Sequence, residues 1–159
     1  MHAERVRTFL LGLPHVVETE QWGGLVYWVG DKAIGGKMFV MLPLDSQGAV
    51  ISYPAGQERF PELLEREGIV PAPYMARIWW VAVERWDVFR AAEWEEELRA
   101  AHALVYNKLP PKVKATLALA KLELKLAVEA GRKRRAEWEA RELIRKAEEK
   151  KSKSPMKVE

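Results

Sequence analysis

Four serines, three histidines and no cysteine make up the usual set of nucleophiles and soft ligands in this chain of 159 residues. The missing cysteine excludes disulfides, thiolate metal sites and thiol nucleophiles together. Serine catalysis needs a hydroxyl held beside a base and an oxyanion site, and none of Ser46, Ser52, Ser152 and Ser154 sits in a nucleophile elbow. His2, His15 and His102 show no metal-ligand spacing, and His102 reads as an ordinary helix residue. Gly35-Gly36-Lys37 invites a phosphate reading, but a strand follows where a helix N-terminus is required, so a plain hairpin turn is expected. Glu95, Glu96 and Glu97 are consecutive on a helical segment. They diverge around it, cannot share one proton, and are expected to form a solvated face. No catalytic constellation, metal site or cofactor motif is expected, and the chain reads as a non-enzyme.

Aromatic rings and charge remain. Trp22, Trp28, Trp79, Trp80 and Trp86, five of seven tryptophans, cluster along the chain and could stack on bases. Their apolar surroundings favour core filling instead. The formal net charge is +3, unevenly spread: 11 Lys and Arg against 15 Asp and Glu up to Pro110, and 15 against 8 from Pro111 onward. A nucleic-acid surface inferred from the overall basicity would therefore credit the first two thirds of the chain with a charge it lacks. The basic run Arg132-Lys133-Arg134-Arg135 is the main electrostatic candidate.

The elements that must position these residues follow from periodicity. Val6, Phe9, Leu10 and Leu13 lie on one helical face, ended by Gly12 and Pro14. Glycine-marked turns separate strands expected near Leu25 to Val29, Lys37 to Leu42 and Ala49 to Tyr53. A helix is expected from about Phe60 to Glu67, stopped by Gly68, Pro71 and Pro73, followed by a strand over Arg77 to Val83. Asp87 is the expected cap of the next helix, whose Trp94, Leu98, Ala101 and Val105 recur at helical spacing until Pro110-Pro111 breaks it.

The fold class is α+β, two layers with an antiparallel sheet and a C-terminal helical extension. The strand runs are nearly continuous in apolar residues, so both sheet faces need cover. Val113, Leu117, Ala120, Leu124 and Ala127, beside Leu119, Leu122 and Leu126, predict a packed helix that supplies it, with a second copy of the chain as the other candidate. The domain is expected over 1–117, with a basic helical extension over 118–159. No run approaches the roughly 20 apolar residues of a membrane span. Met1 to Arg5 leads into an amphipathic segment without an apolar signal region, so a cytoplasmic protein is expected.

Trp22-Gly23, Gly35-Gly36-Lys37-Met38-Phe39, the run from Gly68 to Arg77 (Gly-Ile-Val-Pro-Ala-Pro-Tyr-Met-Ala-Arg), Trp80-Val81, Leu104 and Lys108-Leu109-Pro110 together resemble the MmcQ/YjbR family of small DNA-binding-type bacterial proteins. The shared order covers roughly Arg5 to Leu117. The resemblance implies a CyaY-like fold, helix-meander-helix-strand-helix, and DNA as the partner. Sequence-tolerant phosphate contacts are then expected from Lys32, Lys37 and Arg77 on the sheet side and from Arg132, Lys133, Arg134 and Arg135 on the tail. The alternative is a protein-interaction or homodimer module using the sheet face and the leucine-rich helix. A third reading is an enzyme or ligand site around Trp22, Lys37, Tyr74 and Arg77, with Trp22, Tyr74 and Trp79 as its possible pocket.

Overall fold

A computed structural model describes residues 1–45 and 48–154, so part of the glycine-marked turn expected before the Ala49 to Tyr53 strand lies outside them. Helix α1 (Ala3–Leu11) leads into β1 (Val16–Gln21), β2 (Gly24–Val29), β3 (Lys37–Pro43) and β4 (Ile51–Pro54). Then come α2 (Arg59–Leu64), β5 (Ile69–Pro71), β6 (Trp80–Val83), α3 (Ala91–Lys108), α4 (Pro111–Leu117) and α5 (Lys121–Lys153). The six strands form one sheet in the order β1-β2-β3-β4-β6-β5, with every neighbouring pair antiparallel. The α+β reading therefore holds.

The period of two sends alternate side chains to opposite faces. Tyr27 and Val29 of β2, Ile51 and Tyr53 of β4, and Val81 and Val83 of β6 join the main core with Val6 and Leu10 of α1 and Trp94, Leu98 and Ala101 of α3. Strand β3 breaks the alternation. Its register against β2 slips between Tyr27 and Trp28, which pair with Val40 and Met38 and leave Phe39 as the extra residue of a bulge. Phe39 and Val40 consequently both enter the helix-side core, while Met38 and Met41 pack on the opposite face.

Two strands escape the sequence reading. Strand β1 is an edge strand of mixed polarity, in which Glu18 faces the helix layer and accepts from Arg7 at 2.8 and 2.9 Å and from the Tyr27 hydroxyl at 2.8 Å. An inward charge of this kind hides the strand pattern and also blunts the edge. Strand β5 ends at Pro71, tolerable because it too is an edge. The strand expected over Arg77 to Val83 begins only at Trp80. Ala76–Ile78 form a 3-10 turn, and Trp79 is left-handed at φ 64°. Helix α3 starts after Arg90, not Asp87; Asp87 instead pairs with Arg85 at 3.1 Å, and Glu93 caps the Arg90 N–H at 3.2 Å.

Glu97 corrects the reading of Glu95 to Glu97 as a solvated face. It is only 7% exposed, accepts from the Tyr53 hydroxyl at 2.9 Å and pairs with the Arg59 guanidinium. The remaining correction concerns the tail. The two expected stripes part company: Val113 and Leu117 of α4 enter the core and Leu124 of α5 packs against it, whereas Leu122 and Leu126 of the second stripe are 69% and 56% exposed. The second sheet face is covered by a different segment. Ala72, Trp80 and Ala82 form a small cluster there with Met38, Met41 and Met75, because the chain between β5 and β6 turns back over the sheet through Ala72 N–H to Trp80 C=O at 3.0 Å.

Candidate nucleic-acid interface

The β2–β3 connection organises one end of the molecule. Asp31 caps its 3-10 turn by accepting from the Ala33 N–H at 2.8 Å, and Gly35 closes it at φ 93°. It is a structural turn between strands, as expected of Gly35-Gly36-Lys37. Its glycines serve close approach. A Cβ on Gly35 would come within 2.8 Å of Val113 of α4. From the other side α5 crosses at Gly131, where a Cβ would stand 2.4 Å from the Ala33 carbonyl oxygen. Arg132 of α5 donates to Asp31 of the turn across the crossing at 2.6 Å. The turn is thus clasped between α4 and α5, and a basic tail distant in sequence is held against the acidic domain.

Two separate clefts carry cations. A cleft of about 340 Å³ is lined by Ala33 and Ile34 of the turn, Lys112 and Val113 of α4, and Arg134 of α5. A second, of about 230 Å³, places Lys37 at the start of β3 with Lys108 at the end of α3 over Met38, Ile78, Trp80 and Leu104. Lys32, on the turn itself, lies 5.6 Å from the Trp28 ring. Among the described residues Lys32, Lys37, Lys108, Lys112 and Arg134 make no salt bridge, while the one carboxylate of the turn, Asp31, is already paired with Arg132.

The expected tail contacts therefore divide. Arg132 is used in docking and Arg135 pairs with Glu139 at 3.0 Å, whereas Lys133 and Arg134 form no ion pair among the described residues. Arg77 is exposed on the 3-10 turn beside Ile78, and its side chain lines neither cleft. Lys108 and Lys112 were missed. Their signal was the Pro110-Pro111 break with lysines on both sides, and the structure puts Lys108 in one cleft and Lys112 in the other.

The aromatic group also divides. Trp28 and Trp80 are buried, as core filling requires, but Trp22 is 69% exposed and Tyr74 99% exposed. Both have left-handed backbones, at φ 54° and 64°. Trp22 and Gly23 form the two-residue turn between β1 and β2, where positive φ suits the strand twist. Trp22 and Tyr74 line a cleft of about 460 Å³ on the second sheet face with Met38, Met41 and Met75. Trp79 does not join them; it packs edge-on against Phe60 at 5.5 Å. Lys37 and Arg77 are not among that cleft's lining residues either.

His102 has a structural post, with Nε2 2.7 Å from the Pro14 carbonyl oxygen and its ring edge-on to Phe39. Among the described residues no three His, Asp or Glu side chains are grouped to hold a metal ion, and no helix is long and apolar enough to cross a membrane.

Comparison with known proteins agrees with this architecture. The family model described as YjbR matches residues 11–104. The crystal structure of the Deinococcus radiodurans protein DR2400, with a DUF419 domain, is similar at a TM-score of 0.62 and 23% identity, covering 74% of this chain and 88% of that one. At that identity the likeness concerns the fold. No curated protein matches the chain.

Proposed function

The chain belongs to the YjbR family, and from that premise we propose that it is a non-catalytic DNA-binding protein that grips the phosphate backbone through one basic end. The observation that carries this reading is the clasp. Lys32, Lys37, Lys108, Lys112 and Arg134 come from five separate elements; α4 and α5 bring Lys112 and Arg134 to a cleft beside the turn, whose only carboxylate is neutralised, and Lys37 and Lys108 meet at a second cleft. Cations without ion-pair partners, spread over more than one cleft, suit a polyanion better than a discrete small anion, which needs converging donors. Phosphate contacts of this kind position the protein without reading bases.

Binding should weaken steeply with salt. Five phosphate contacts correspond to a slope of about −4.5 in log K against log salt on duplex DNA. An anisotropy titration of a labelled duplex with the full chain, at several salt concentrations, measures it. Replacing Lys37, Lys108, Lys112 and Arg134 together by alanine should remove most of the affinity and flatten the slope. Absence of binding at low salt, or binding that the fourfold variant retains in full, would refute the proposal.

A second reading is a homodimer module, favoured by the exposed Leu119, Leu122 and Leu126 at the start of α5. Light scattering at rising concentration distinguishes it: a mass that stays that of one chain removes the reading.

A further inference from the structure

The slot between Lys37 and Lys108 combines two features that neither a simple phosphate site nor an apolar crevice requires. Its walls are Met38, Ile78, Trp80 and Leu104, and both lysines are exposed and make no ion pair among the described residues. At about 230 Å³ it is smaller than the roughly 300–1,000 Å³ of sites for drug-sized ligands. One planar heterocycle fits that scale. Gly56 lies on one side of it, left-handed at φ 82°, a conformation that favours glycine.

We propose that this slot receives a single unpaired nucleobase, with Lys37 and Lys108 on its flanking phosphates, so that the protein prefers single-stranded or locally opened nucleic acid to closed duplex. The proposal rests on the phosphate-binding reading only for the strand that delivers the base. The chemistry is complementary at both ends of a nucleotide. The largely aliphatic walls, among which Trp80 is only 4% exposed, bury the faces of the ring, and the two ammonium groups take the charge that adjoins it. An anion without a ring would leave the walls unused, and a hydrocarbon would leave the two ammonium groups unused. A base inside a duplex is stacked and paired, and extruding it costs a few kcal/mol that an unpaired position does not incur. That difference sets the direction of the preference.

The test uses the full wild-type chain and three ligands: a short oligothymidine strand, the same strand with abasic positions, and the strand paired with its complement. The intact strand should bind about tenfold more tightly than the abasic one, which keeps every phosphate. It should also bind more tightly than the duplex. Leu104→Trp, which fills the slot, should bring the intact strand down to the affinity of the abasic one. Equal affinity of the wild type for intact and abasic strands would overturn the inference while leaving phosphate binding in place. If no strand or duplex binds at low salt, the phosphate reading fails separately, and calorimetry with thymidine monophosphate against inorganic phosphate decides the slot. Binding of the nucleotide alone supports it; binding of neither overturns it.

Discussion

Glu97 shows how far the surroundings of one side chain decide its role. Its carboxylate joins the Tyr53 hydroxyl and the Arg59 guanidinium at the contact between sheet and helices, where burial first and Glu97 second push the Tyr53 hydroxyl well above the usual tyrosine range. Glu97→Ala would strand a buried hydroxyl and leave a partly exposed guanidinium to water, so a loss of about 2–3 kcal/mol is expected in urea unfolding. Glu97→Gln, which still accepts from Tyr53, should lose less. Tyr27 is shifted in the same direction, by burial and then by its bond to Glu18. For both tyrosines the folded chain holds a proton that the unfolded chain releases above about pH 10. Their contribution is complete below that pH and is lost as the pH rises beyond it. Glu18 works at the other end of the scale, held below the usual carboxylate range chiefly by the Arg7 hydrogen bond. Its contribution is present above about pH 4.5 and is lost as the pH falls. Unfolding midpoints from about pH 3 to pH 12 should therefore decline on both flanks, and a flat alkaline limb would contradict the tyrosine assignment.

Between elements, the crossing of α5 over the β2–β3 turn offers a test of sign. In a free helix Gly131→Ala would stabilise by about 1 kcal/mol. In the clasp the added methyl meets the Ala33 carbonyl oxygen, backbone that cannot swing aside, so Gly131→Ala should destabilise the docked helix despite its better propensity. Limited proteolysis is the readout. Cleavage between 121 and 153 should speed up in the variant, and slower cleavage would mean that the crossing does not hold the tail. The ion pair of Arg132 with Asp31 adds little alone, since an exposed pair contributes under about 1 kcal/mol. Its role in the clasp is to neutralise the carboxylate. Past Gly131 the helix continues for 22 residues, about 33 Å, with Arg135 to Glu139 and Arg145 to Glu142 pairs along its surface. Such pairs support a polar helix locally and leave its remaining cations available.

For the molecule as a whole, the consequence of the clasp is electrostatic. A domain that is net acidic up to Pro110 presents a basic end because α4 and α5 are folded back onto it. Each cation removed from that end should take about 0.9 from the salt slope of duplex binding. Lys112→Ala therefore predicts a slope near −3.6 in place of about −4.5, measured by the same anisotropy titration. An unaltered slope would place the contacts elsewhere.

The fold class, α1, most of β2 and β3, and the inward stripe of α3 were legible, because their apolar periods are uninterrupted and local propensity agrees with the packing. Strand β1 was not, since its inward glutamate has a partner that only the docked α1 supplies. Charge followed the same division. The chain order placed the surplus in the tail, and the separation of acidic domain from basic extension needed no coordinates. Which cations face a common partner depended on distances across the fold. Arg132 and Arg134 are two positions apart, yet the 100° step of the helix turns one onto Asp31 and the other into the cleft beside Lys112. The leucine stripe divides for a comparable reason. A periodic pattern states that a face is apolar, but only the docking of α4 and α5 decides that Val113, Leu117 and Leu124 reach the core and that Leu122 and Leu126, on the neighbouring stripe, do not.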